Sequence, residues 1–147
     1  MQPVPPDPGA LFQRLLSAAS VVEARLEDAV APVGLSLAKL GVLQHLVEAG
    51  GPLPLGQLAD RIACVKSNVT QLVDRLEAEG LVRRETDRAD RRIVRAVITP
   101  EGQKRFEEGT RARVRAEQEL AATIPAALRP AAAELLAALA GLAIAHA

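Results

Sequence analysis

Residues 66–84 read KSNVTQLVDRLEAEGLVRR, and their pattern decides what the rest of the chain has to be. Small polar residues open the stretch, and Val69, Leu72, Val73 and Leu76 come after them at helical spacing. Gly80 stops that pattern, and Leu-Val-Arg-Arg restarts it as a strand. A helix held down by those four apolar side chains turns Ser67, Asn68, Gln71 and Arg75 to its other face. Short hydroxyl, amide and guanidinium groups on an exposed helix are the groups that read base edges in the DNA major groove. The pattern therefore predicts a recognition helix. Its own charge is against it, since Lys66 and Arg75 oppose Asp74, Glu77 and Glu79, one net negative charge. Such a helix selects a sequence but cannot supply the electrostatic part of binding.

The electrostatic part falls to the segment downstream of Gly80. Two segments rich in Val and Ile, 81–85 and 92–99, flank the turn-like TDRAD, which predicts a two-stranded wing. Over 81–98, Arg83, Arg84, Arg88, Arg91, Arg92 and Arg95 oppose Glu85, Asp87 and Asp90, a local excess of three positive charges. The chain as a whole carries 18 basic and 18 acidic residues, so this excess is a localised cationic patch suited to DNA. By charge, Lys66, Arg83, Arg84, Arg91 and Arg95 are candidate phosphate contacts, although some could instead pair with Glu85 or Asp87. Arg75 could likewise pair with Glu79, four residues on.

Upstream, Ala59 and Ala63 are small enough to let a short helix over 55–62 cross the recognition helix through a tight turn at 63–65. Pro54 reads as the start of that short helix. Ser36 caps a preceding helix carrying Leu37, Leu40, Leu43, Leu46 and Val47, closed by Gly50 and Gly51. Before it, Asp7-Pro8 starts a long helix with Leu11, Leu15, Ala19, Val22, Leu26 and Val30 along one stripe. Pro32 and Gly34 end it. Downstream, Thr99-Pro100-Glu101 starts a charged helix with sparse apolar residues (Phe106, Val114, Leu120), a spacer or partly exposed arm until Ile124-Pro125 interrupts it. A last helix after Pro130 is apolar nearly all round, as expected between subunits. The fold class predicted is mainly α with a small two-stranded wing, in one domain over 1–147. Its DNA-binding part is 36–99, and its dimerisation helices are 8–31 and 100–146.

Composition closes other routes. With two Phe and no Trp or Tyr, the chain lacks the stacking platforms of single-stranded nucleic-acid binders. One Cys forms no internal disulfide, and Cys64, His45 and His146 are too scattered to hold a metal. No cofactor is expected. The start of the chain has no cationic region followed by an apolar core, and no run is long and apolar enough for a membrane helix. A reducing cytoplasm is the simplest home. Enzymatic motifs, namely a His–carboxylate pair, a phosphate loop or a nucleophile signature, do not occur.

In this order of elements the chain resembles the MarR family of bacterial transcription regulators. The resemblance is carried by SNVTQLVDRLEAEGLVRR (67–84) and DRADRRIVRAVITPEG (87–102), and it extends over residues 36–105. It implies a homodimeric repressor at the nucleoid that binds a palindromic operator in double-stranded DNA. First and last helices would intertwine, and a small phenolic or otherwise amphipathic effector would release the DNA. Matched to the family's motif, Arg92 is the arginine that enters the minor groove and Asp90 the acid that orients it. Ser67, Asn68, Gln71 and Arg75 take the major-groove positions. A narrow A/T-rich minor groove concentrates negative potential, which gives the wing arginine its physical reason.

Three positions depart from the family pattern. Val65 stands where a capping Ser or Thr is usual, Pro54 replaces another cap, and Cys64 replaces an aliphatic residue. Cys64 leaves a redox-responsive regulator as an alternative, although a lone Cys in such a turn is ordinarily a small buried hydrophobe. His45 is a candidate effector contact at the junction of the two parts. The other alternative is a winged-helix module that binds protein without sequence-specific DNA.

Overall fold

The computed structural model describes residues 7–62 and 66–144. Its first helix, α1 (Pro8–Val30), starts as its sequence dictates, with Asp7 accepting the Ala10 N–H at 3.2 Å and Pro8 occupying the first turn. A 3-10 turn (Ala31–Val33) and Gly34 at φ 74° end it. Helix α2 (Leu37–Ala49) is capped twice. The Ser36 hydroxyl takes the Lys39 N–H at 3.2 Å, and Glu27 reaches from α1 to take the Leu37 N–H at 2.9 Å. Two of the four amides that a helix start leaves unpaired are thereby satisfied. Helices α3 (Leu55–Ile62), α4 (Lys66–Ala78), α5 (Pro100–Thr123) and α6 (Arg129–Ile144) complete the helical frame.

The sheet has one strand more than the sequence predicts. Strands β1 (Leu53–Pro54), β2 (Val82–Thr86) and β3 (Val94–Ile98) lie antiparallel in the order β1-β3-β2. Pairs run from Val82↔Ile98 to Thr86↔Val94 in the wing and Leu53↔Ala96 across the added edge. Pro54 thus belongs to an edge strand before α3, where a missing N–H costs no ladder bond if it faces outward.

Leu40, Leu43 and Leu46 of α2 meet Leu58 and Ala59 of α3, Val69, Val73 and Leu76 of α4, and Leu81, Val82 and Ala96 of the sheet. Each buried aliphatic side chain contributes about 1.5–3 kcal/mol, so this cluster is what sets α4 and the wing at a fixed mutual position. Helix α2 also buries Val42, off the stripe the sequence indicates, because it is surrounded on several sides.

Helix α5 differs from the expected spacer. Its first half is part of the core: Phe106 packs against the cluster, Gly102 is buried, and Gly109 lies against Leu35 and Leu40. Glycines carry no weight in a count of apolar side chains, yet here their lack of a side chain is what lets the helix approach. Helices α1 and α6 are the opposite case. Of α1 only Val30 is buried, while Leu11, Phe12, Leu16, Val21 and Val22 are exposed, as are Leu135 and Leu136 of α6. Among the described residues no single helix is long and apolar enough to cross a membrane.

Candidate nucleic-acid interface

At about 100° per residue, α4 divides into three faces. Val69, Val73 and Leu76 point into the core, with Leu72 half-buried beside them. Thr70, Asp74 and Glu77 form a second stripe towards β2, where Asp74 and Glu77 pair with Arg84. Asn68, Gln71 and Arg75 form the third and are all exposed. The three described members of the proposed reading set therefore share one outward face. Lys66 and Ser67 enter only through the backbone of α4, and Cys64, Val65 and His146 lie outside the described residues.

The net negative charge of α4 is locally compensated. Arg84 lies between Asp74 and Glu77, at 2.5 and 2.7 Å. Glu79, the partner open to Arg75 in the sequence, is instead held by Lys39 at 2.5 Å. Among the described residues Arg75 enters no ion pair.

The wing tip is built by two aspartates. Asp87 accepts the N–H groups of Ala89 (2.7 Å) and Asp90 (2.9 Å) and turns the chain, while its own N–H donates to Ile93 O at 2.9 Å. The N–H groups of Asp90 and Ala89 hold the Asp87 carboxyl below the usual carboxylate range, helped by Arg95 against partial desolvation. Asp90 then accepts from Arg92 three times, from its N–H and Nε on Oδ1 and from Nη2 on Oδ2, each at 3.0 Å. Those bonds, the side-chain ones foremost, likewise lower the Asp90 pKa and raise that of Arg92. The Arg92 side chain remains 91% exposed. Its guanidinium is held by Asp90 through Nε and Nη2 and stays open to solvent.

The other wing cations are placed differently from one another. Arg83 pairs with Glu85 and Arg95 with Asp87, which leaves both close to the surface. Arg91 is exposed and enters no ion pair among the described residues. Arg84 is half-buried, and hydrogen bonds and charge from Asp74 and Glu77 outweigh its desolvation and raise its pKa. The organising part of Asp87 is absent from the sequence expectations. An Asp two and three residues ahead of turn amides, as in DRAD, is the signal that marks it.

His45 of α2 is half-buried and lies 3.4 Å from Glu48. It does not line the cavity of about 370 Å³ between α1 and α5, which is walled by Arg25, Asp28, Ala116, Glu119, Leu120 and Thr123. Among the described residues no three His, Cys, Asp or Glu side chains are grouped to hold a metal ion.

Two helices three residues apart in sequence, followed by a hairpin whose tip carries an oriented arginine, define a winged helix-turn-helix protein. Residues 33–93 match the model of the MarR family. Over that segment, which holds α2, α3, α4 and β2, the chain is similar to the MarR family. It is 32% identical over 99 residues to the HTH-type transcriptional repressor MdtR of Bacillus subtilis, a match covering 67% of this chain and 59% of MdtR. It is 36% identical over 69 residues to the regulator MhqR of the same organism, covering 47% of each. The chain thus spans 59% and 47% of the lengths of these relatives. Among solved structures, a MarR family regulator from Streptomyces coelicolor is 26% identical and covers 93% of both chains with a TM-score of 0.78. An organohalide-sensing regulator solved with 2,4-dichlorophenol bound shares the fold at 20% identity and a TM-score of 0.79, covering 95% of this chain and 86% of its own.

Proposed function

We propose that the chain is a homodimeric transcriptional repressor of the cytoplasm that binds a palindromic operator and is released by a small amphipathic effector. The observation that carries this is the pairing of Asp90 with an otherwise exposed Arg92, taken together with the outward face of α4 formed by Asn68, Gln71 and Arg75. In this reading α4, with Ser67 at its front, selects bases in the major groove, and Arg92 enters the adjoining minor groove. Lys66, Arg83, Arg91 and Arg95 supply the charge that holds phosphate. Two-fold symmetry then spaces the half-sites by one helical turn, ~34–36 Å.

The second copy is called for by the apolar faces of α1 and α6. Leu16, Val21, Leu135 and Leu136 are exposed at 69%, 61%, 43% and 58%, more apolar surface on two long helices than a monomer ordinarily leaves in water. Replacing both Leu135 and Leu136 with Glu is expected to convert a species of twice the 15.5 kDa chain mass into one of that mass, read by light scattering.

The effector reading rests on the cavity between α1 and α5 and on its polar links to the DNA-binding part. Glu27 holds the start of α2, and Arg105 of α5 donates to Val33 O at 2.9 Å. A ligand that shifts α1 against α5 therefore acts on both ends of the turn leading into α2. It needs only a difference in affinity between two conformers. By its position outside that cavity, His45 is not part of this proposal.

Binding to DNA from the gene's own upstream region, followed by gel shift over a salt series, is the direct test. Each neutralised phosphate steepens the log–log slope by about 0.9, so four or more contacts per half-site give a steep fall in affinity between ~50 and ~200 mM salt. A flat response, or equal binding to scrambled DNA, would leave a protein-binding winged helix as the better reading.

A further inference from the structure

Arg84 is placed unlike any other cation of the wing. Strand β2 is an edge of the sheet, and its backbone N–H at Arg84 points away from β3 to Glu77 Oε1 of α4, at 3.1 Å. The guanidinium of the same residue donates from Nη1 to Glu77 Oε2 at 2.7 Å, and its Nη2 lies 2.5 Å from Asp74 Oδ1 and 3.4 Å from Thr70 O. Its side chain is 25% exposed, against 57% for Arg83 and 91% for Arg92. One cation between two carboxylates leaves the cluster with no positive charge to offer a phosphate.

The partners span the turn at Gly80, whose φ of 73° is available chiefly to glycine. Helix and strand are joined there by the most permissive residue type, so their angle must be fixed from outside the turn. Burial of Leu81 and Val82 holds β2 near α4, but apolar packing is non-directional. A forked guanidinium on two acids one helical turn apart, together with a backbone bond to one of them, is directional.

We propose that Arg84 is a positioning residue, which with Asp74 and Glu77 locks the wing to the recognition helix so that both meet DNA at one angle. This rests on the DNA-binding reading above. Arg84 then contributes to affinity through the placement of Arg92 and not through a phosphate contact of its own.

The two roles predict opposite signs for the acids. Glu77→Gln removes a negative charge beside the DNA and keeps an oxygen for the Arg84 N–H. On charge alone it strengthens binding. As part of a lock it weakens binding, by about tenfold for a coupling typical of residues in one network. Arg84→Gln weakens binding by a similar factor, and the double variant is no worse than either single one. The ion pairs are partly exposed and contribute little to stability, so melting temperatures should stay close to wild type. Tighter or unchanged binding by Glu77→Gln, or additive losses in the double variant, would overturn the lock.

A second measurement needs no DNA. Amide exchange at Arg84 should accelerate several-fold in both Arg84→Gln and Asp74→Asn, and not in Arg83→Gln. Unchanged exchange at that amide also overturns the proposal. Should wild-type protein show no salt-dependent DNA binding, the functional reading fails by itself, and the lock stands or falls on the exchange result.

Discussion

Replacing Arg92 with alanine is expected to lower affinity for a palindrome with A/T flanks by about tenfold to hundredfold, the range of a lost groove contact. The expectation follows from geometry. Asp90 engages the N–H, Nε and Nη2 of Arg92, so the side chain leaves the hairpin tip in one direction with its remaining donors outward. A side chain already oriented loses little conformational freedom on entering a groove. Asp90→Asn, which keeps Arg92 but removes the charge that aims it, should cost most of the same factor. Arg92→Lys should fall between them, because an ammonium cannot make the forked pair with a carboxylate. Fluorescence anisotropy on operators differing only in their flanks separates the possible roles. If Arg92 occupies a narrow minor groove, G/C flanks shrink the difference between wild type and Arg92→Ala. Equal losses on both flanks would reduce Arg92 to a phosphate contact.

The pH dependence of the pair has a definite sign. The Asp90 pKa is lowered, so its favourable contribution is complete above the ordinary carboxylate value of about 4. It disappears only as pH falls through the depressed value. The Asp90–Arg92 pair therefore gives no pH dependence to affinity between about pH 6 and 8, and any change there belongs to another group.

Element order is legible in this sequence because most boundaries carry their own chemistry. Asp7, Ser36 and Thr99 each accept an N–H from the first turn of the helix they precede, and Gly34, Gly50 and Gly80 adopt φ values of 74°, 65° and 73° where helical stretches end. Strand β1 is not legible, since two residues cannot display an alternation and Pro54 next to Leu55 has the local form of a helix start. The outward face of α4 follows from periodicity, but the division of labour among the arginines does not. Arg83 and Arg84 are adjacent and chemically identical. Strand alternation sends them to opposite faces, and only the folded chain puts the Asp74–Glu77 stripe beside one of them.

The largest stability effect should come from a residue with no side chain at all. Gly102→Ala is ordinarily a gain of about 1 kcal/mol inside a helix, since alanine restricts the unfolded chain and glycine is the poorer helix former. Here the sign reverses. A Cβ built at Gly102 lies 2.0 Å from Leu81 O and 2.9 Å from Ile98 Cγ1. The side chain of Ile98 can turn away, but the Leu81 carbonyl is backbone and accepts the Thr99 N–H at 3.0 Å. Moving it opens the junction at which the end of β3, the start of α5 and the start of the wing meet. Forcing a methyl group into so close an approach costs at least the ~1–3 kcal/mol of ordinary overpacking, so the net change is a clear loss in the urea midpoint. Gly109→Ala supplies the graded comparison, because its nearest neighbours are the flexible ends of Leu35 and Leu40 at 2.8 and 3.1 Å, and its loss should be smaller. Gly141→Ala, with nothing within 4 Å, should be neutral or stabilising. If all three substitutions stabilise alike, helix propensity alone governs these positions and α5 is not seated on the wing as described.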